Sequence, residues 1–275
     1  MKLHISSSVL LFALTPIAFA NYTPLESPTI PSAGKFYVGA FAGGGAPNHF
    51  NGSQYATAFI TEAAGGPLSI NAFGQLNNKN VFFLGAQLGY LAQAIPLNSS
   101  MQWAIKPGAE LEIYSMNKRS VNGEFINNTE RLPEHDFIVS YPMRRTMFLA
   151  NAILNFNNTR SPVNPYLGFG IGNAIVKISN ASANQISPPE AGINHYNANP
   201  HDITSTFAGQ LKLGFSYDLN KYFSLFADYR WLYLASTDFD FGSTVYPTHA
   251  ETSSWRVKLK AQNYHLGNMG VRFNC

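Results

Sequence analysis

The chain has 275 residues, of which 45% are hydrophobic, 14% aromatic and 12% charged, and 18 basic against 15 acidic side chains leave a formal charge of +3. That balance is too small to imply nucleic-acid binding, and a charged fraction about half that of an ordinary soluble domain sets the chain apart from that class. The one cysteine, Cys275, excludes an internal disulfide framework, so the fold must be held without covalent staples.

Met1 to Ala20 begins with Lys2, runs through the apolar SSSVLLFALTPIAFA and ends Ala18-Phe19-Ala20. A basic start, a short apolar core and an A-x-A end describe a cleavable secretory signal. The run is shorter than the ~20 residues of a spanning helix, and no later run reaches that length. Removing the signal, and Lys2 with it, leaves a mature chain from Asn21 with a charge of +2. Residues 21–34, NYTPLESPTIPSAG, form a Pro- and Ser-rich leader, and residues 35–275 form the folded body.

Eight strands are expected from there. Strand one is Lys35 to Gly43, with both phases apolar or Gly, and a Gly/Asn/Ala-rich loop fills Gly44 to Lys79. Strand two, Val81 to Ala92, sets Phe82, Leu84, Ala86, Leu88 and Tyr90 against Gly85, Gln87 and Gly89. Strand three, Met101 to Met116, sets Trp103, Ile105, Ala109, Leu111 and Ile113 against Lys106, Glu110, Glu112 and Tyr114. A polar loop covers Asn117 to Pro142. Strand four, Arg144 to Phe156, has Phe148, Ala150, Ala152 and Leu154 opposite Arg145, Asn151 and Asn155. After a turn, strand five is Pro165 to Ile178, and a third loop runs from Ser179 to Ile203.

Thr206 to Ala235 reads as a hairpin. Phe207, Leu211, Leu213 and Phe215 share one phase against Gln210 and Lys212. Phe223, Leu225, Ala227, Tyr229, Trp231 and Tyr233 share one phase against Asp228 and Arg230. Side chains alternate faces along a strand, and Asp218-Leu219-Asn220-Lys221 supplies the turn. A fourth loop spans Ser236 to Ser254. Strand eight is expected as one run, Trp255 to Phe273, with Arg256, Lys258, Lys260, Gln262 and Arg272 on its even phase.

A soluble β-sandwich or lipocalin-like barrel also alternates. Two regularities favour a membrane. In strands three, six, seven and eight the greasy phase carries no Asp, Glu, Lys or Arg, as a lipid-facing surface requires. Connections also alternate long and short, placing both termini on the short-turn side. The expected fold is therefore all-β: an eight-stranded antiparallel up-and-down transmembrane β-barrel with long extracellular loops and short periplasmic turns.

YVGAFAG, PYLGFGIG, FADYRWL and LGNMGVRF resemble the opacity-type surface antigens of the outer membrane protein A-like eight-stranded barrels. That resemblance implies a Gram-negative outer membrane, contact with lipopolysaccharide and the barrel-assembly machinery, and outer loops that adhere to a host or cell-surface ligand. One departure is that Asn274 and Cys275 follow the terminal aromatic Phe273.

Eight strands enclose only enough room for side chains, so charges on the inner phase must pair. Lys106, Glu110, Glu112, Arg145, Lys212, Asp228, Arg230, Arg256, Lys258, Lys260 and Arg272 are expected inside as an ion-paired plug. The basic excess toward the top of strand eight leaves a small-solute or anion porin as an alternative. Tyr90, Trp103, Phe223, Trp231, Tyr233, Trp255 and Phe273 are expected as aromatics at the membrane interface.

A lipid A-modifying enzyme would need Ser, His and a carboxylate together. His249, Glu251, Ser253 and Ser254 are neighbours, and His201-Asp202 precede strand six, yet the His-x-Ser-Asn pattern of the deacylases is missing. No catalytic residue is assigned. His49, His135, His195, His201 and His249 fall in outer loops without ligand spacing, so no metal or cofactor is expected. The sequons at Asn51, Asn98, Asn127, Asn157 and Asn180 read as chance in Asn-rich loops. Gly168-Phe169-Gly170-Ile171-Gly172 lacks the helix that a dinucleotide site needs.

Overall fold

The computed structural model describes residues 34–97, 103–127, 136–158 and 160–275; the signal, nearly all of the leader, the Asn98 sequon and His135 lie outside them. Eight long strands form the wall: β1 Lys35–Pro47, β2 Val81–Leu91, β3 Trp103–Met116, β4 Asp136–Asn158, β5 Val163–Ser179, β6 His201–Asp218, β7 Phe223–Leu234 and β8 Gln262–Asn274. Each pairs antiparallel with the next. β8 returns to β1, from Tyr37↔Asn274 to Pro47↔Tyr264, so the barrel closes and its wall has no unpaired edge. The β6–β7 turn is held by Asn220, whose Oδ1 accepts from the Tyr222 and Phe223 N–H groups.

At belt level the wall wears hydrocarbon outward: Leu84 is 69% exposed, Leu111 60%, Leu213 63% and Met269 64%. Outward charge on the neighbouring strands β4 and β5 begins at Arg144 and Lys177, which face each other across the ladder. Below that border the outward phase of β5 is Val163, Pro165, Leu167, Phe169, Ile171, Asn173 and Ile175, without a charge. This matches the height that about 9–11 tilted strand residues span in a bilayer. Inward glycines make room for rings. A Cβ on Gly89 would stand 2.1 Å from the Tyr37 ring.

The wall continues above the belt. β4 has 23 residues, about 75 Å of ribbon at the rise of a strand, against an apolar band of ~25 Å. The four long connections, read from the sequence as loops, carry strands of their own. Thr237–Phe241, Trp255–Leu259, Phe50–Ala58, Leu68–Asn77 and Arg119–Asn127 pair in that order and join the upper half of β4, while Ser182–Ser187 pairs with β4 as well. Phe50–Ala58, Leu68–Asn77, Arg119–Asn127 and Ser182–Ser187 are interrupted by Gly, Asn or Ser, so their alternation is weak until neighbours supply the pairing. Trp255–Leu259 alternates cleanly and reads from the sequence as the start of strand eight.

This outer storey reverses the chemistry of the belt. Its inside is an apolar core that includes Phe125, Phe137, Val139, Tyr141, Tyr196, Phe241, Trp255 and Val257. On β4 the inward parity never changes: Phe137, Val139, Tyr141 and Met143 give way to Arg145, Asn151 and Asn155. The environment outside changes from water to lipid, and the favoured face changes with it.

The expected single eighth strand is two. Odd positions are buried through Leu259, even positions from Gln262 onward, with Lys260 and Ala261 lying between the two strands. Moving the pattern by one residue turns every side chain to the other face. Arg256, Lys258 and Lys260 are therefore outside rather than in the bore, and Trp255 is wholly buried in the outer core rather than at a membrane interface.

Candidate functional site

The bore at belt level holds three carboxylates and three cations in one network. Lys212 Nζ lies 2.7 Å from both Glu110 Oε1 and Glu112 Oε1, with no exposure on any of the three side chains. Arg230 reaches Glu112 at 3.1 Å and Asp228 at 2.8 Å. Arg272 approaches Glu110 at 3.7 Å. The formal charges cancel, which is what burial in low dielectric demands.

Neutral donors occupy the remaining lone pairs. Tyr37 donates to Glu110 at 2.7 Å and Asn151 to the same carboxylate at 3.2 Å. Gln210 donates to Glu112 and Asn151, and Tyr166 to Asp228. Aromatic faces cover the cations: Arg230 lies 4.4 Å from the Phe41 ring centroid and Arg272 4.4 Å from that of Phe226. Tyr37 on β1, Glu110 and Glu112 on β3, Asn151 on β4, Tyr166 on β5 and the residues of β6, β7 and β8 all contribute, so the network laces the bore across its diameter.

Of the eleven charges expected inside, six meet here: Glu110, Glu112, Lys212, Asp228, Arg230 and Arg272. Lys106 is buried nearer the short-turn mouth, beside Lys35, Asn155 and Asp218. Arg145 sits higher. It donates to Gln262 at 2.9 Å and lies over Tyr264 at 5.5 Å, while its Nε and Nη1 have no hydrogen-bond partner among the described residues. Arg256, Lys258 and Lys260 do not join, for the reason of phase given above. Tyr37 and Tyr166 were missed from the sequence. Tyr37 lies on a strand whose two phases are equally apolar, and Tyr166 shares its phase with Gly168, Gly170 and Gly172.

Tyr90, Trp103, Phe223, Trp231, Tyr233 and Phe273 face outward or partly so, and Trp255 does not. Phe36 lies tilted against Tyr90 with ring centroids 4.7 Å apart, and Phe223 packs edge-on against Phe273 at 5.3 Å, near the short-turn rim. Tyr229 and His265 share a 2.6 Å hydrogen bond outside the upper bore.

In the outer storey, Tyr141 and Tyr196 bond to each other at 3.0 Å, and burial raises both phenols above the ordinary range. Exposed Tyr55, Phe73, Ile126 and Ile138 lie on four successive strands of its outer face, Phe73 pairing with Ile126. The His201 ring takes the Asn180 amide, while His249 turns toward Glu190. Among the described residues neither histidine ring is hydrogen-bonded to a serine, the pairing that would make it a base.

Residues 126–275 match a family described as surface antigen. No curated protein sequence matches the chain. Among solved structures, neisserial surface protein A is similar at 15% identity and a TM-score of 0.32, covering 86% of this chain and 96% of that one. The outer membrane protein OprG from Pseudomonas aeruginosa gives 12% identity, 87% and 96% coverage and a TM-score of 0.38. Ail, the attachment invasion locus protein of Yersinia pestis, in complex with the heparin analogue sucrose octasulfate, gives 13%, 87% and 99%, and 0.28.

Proposed function

The chain belongs to the surface antigen family, and from that premise we propose that it is a surface barrel whose outer storey makes contact with a host or another cell, over a bore closed by paired charge. The carrying observation is the exposed strip of Tyr55, Phe73, Ile126 and Ile138. Unlike the belt, the strip stands on a storey whose core is already filled, so bilayer insertion does not account for it. Contiguous apolar side chains held in water mark contact sites.

The rest of the reading follows the belt. Its uncharged flank meets the outer-membrane hydrocarbon, while Arg144 and Lys177 at its upper border suit the phosphates of lipopolysaccharide. The signal of residues 1–20 delivers the chain to the periplasm, where the assembly machinery inserts it, and residues 21–34 remain as a leader. The neutral network occupies the bore at belt level, which supports a plug over a porin.

The test is adhesion of cells displaying the wild type or the Phe73→Ser/Ile126→Ser pair to cultured host cells. Heat-modifiable gel migration verifies that each barrel is intact. Loss of adhesion by the pair supports the reading; equal adhesion by both proteins refutes it. Large, stable conductance in a planar bilayer would refute the plug.

A further inference from the structure

Three side chains from two separate outer connections converge in the outer storey. Glu190 and His195 lie between Ser182–Ser187 and β6, and His249 lies between Thr237–Phe241 and Trp255–Leu259. Nε2 of His195 and Nε2 of His249 are each 3.3 Å from the same oxygen, Glu190 Oε2. The three atoms lie within 4.8 Å of one another. Two ligands held at about 2.05–2.1 Å from a tetrahedral zinc ion are separated by about 3.4 Å, so both N···O distances already equal an edge of such a site.

The rings are also turned correctly. His195 Nδ1 lies 2.9 Å from the Ala183 carbonyl, and His249 Nδ1 lies 2.6 Å from that of Ala250. A carbonyl at Nδ1 makes that nitrogen the donor and directs the basic Nε2 to the centre, as the outer partners of metal-ligating histidines do. His195 is 1% exposed and wedged edge-on between Phe137, at 5.2 Å, and Trp255, at 5.5 Å. Its position is fixed by packing. Glu190 Oε2 is buried and accepts no hydrogen bond among the described residues.

From this convergence we infer that Glu190, His195 and His249 bind a divalent first-row transition ion of the zinc or copper class. Two neutral imidazoles and one carboxylate suit that class rather than calcium or magnesium. A simple ion pair accounts for the geometry less well. It would require both rings to carry charge with centroids 5.3 Å apart, one of them sealed in an aromatic cage. Three protein ligands leave a fourth position for water, on the side where Glu190 is 30% and His249 16% exposed. The ion would clasp the third outer connection to the fourth.

The experiment uses untagged, full-length protein, folded in detergent and stripped with a chelator. Zn2+ is titrated calorimetrically, and Co2+ is followed by its visible absorption. One ion per barrel with a tetrahedral Co2+ spectrum is expected. His249→Ala and Glu190→Gln, both at partly exposed positions, should each weaken Zn2+ binding by about tenfold or more. His201→Ala, elsewhere in the outer storey, should leave binding intact. Heat-modifiable migration verifies folding of each variant. Absence of saturable binding, or unchanged affinity in both ligand variants, would overturn the site.

Discussion

Lys212→Met tests the charge network most directly. Nζ bridges two carboxylates at 2.7 Å, with no solvent exposure on any of the three side chains. Its loss leaves Glu110, Glu112 and Asp228 facing only Arg230 and Arg272, an excess of one negative charge. Glu112 keeps Arg230 at 3.1 Å, so Glu110 bears most of the damage, retaining the Tyr37 and Asn151 donors and Arg272 at 3.7 Å. Removing one partner of a buried pair costs about 3–5 kcal/mol, a large share of a typical total of 5–15 kcal/mol. The measurement is urea unfolding in lipid vesicles, read by heat-modifiable migration. Adding Glu110→Gln restores neutrality and should recover more than half of the loss, a coupling that a double-mutant cycle isolates. The reasoning fails if Lys212→Met unfolds within about 1 kcal/mol of wild type, or if the double variant is no more stable than the single.

Leu213→Arg puts a cation on the lipid face, where Leu213 is 63% exposed, and should cost about 2–4 kcal/mol in the same unfolding assay; a neutral result would remove lipid from that face. Trp255→Ala should cost about 3–5 kcal/mol and open the outer storey to protease, because the side chain is buried and donates to Thr244 at 3.0 Å. Arg256→Ala, next to it but 70% exposed in a pair with Asp240, should cost under about 1 kcal/mol; reversal of that order would place the phase of this strand wrongly. Burial raises the Tyr141 and Tyr196 phenols, whereas hydrogen bonds from Ser69 and Thr57 lower Tyr55. The stabilising preference for neutral Tyr141 and Tyr196 is complete below the unfolded value of about 10 and is lost as pH climbs from there toward the raised folded values. Phenolate absorbance should show Tyr55 ionising before that pair, and a single step near the ordinary value would contradict it.

The belt was legible because facing along a strand is a local property. Glu110, Glu112, Lys212 and Arg230 alternate with Leu111, Leu211, Leu213 and Trp231, and only one assignment of faces keeps charge from lipid. Trp255, Arg256, Lys258 and Lys260 continue an equally clean alternation, yet they face the opposite way. Above the bilayer the outside is water, so an apolar phase turns inward there; the same pattern carries both meanings. Glu190 went unremarked because a lone carboxylate beside Pro188 and Pro189 has no spacing to recommend it.

The amino-acid order alone determined eight wall strands, the inner and outer faces at belt level of all but the first, whose two phases are equally apolar, and the alternation of short and long connections, because backbone pleat and the cost of charge in hydrocarbon act residue by residue. Tertiary structure decided that the long connections extend the wall, that the chain changes phase at Lys260 and Ala261, and that His195 and His249 meet at Glu190. Those outcomes depend on which segments lie side by side once the cylinder closes, and adjacency across a closed sheet is a property of the whole ladder.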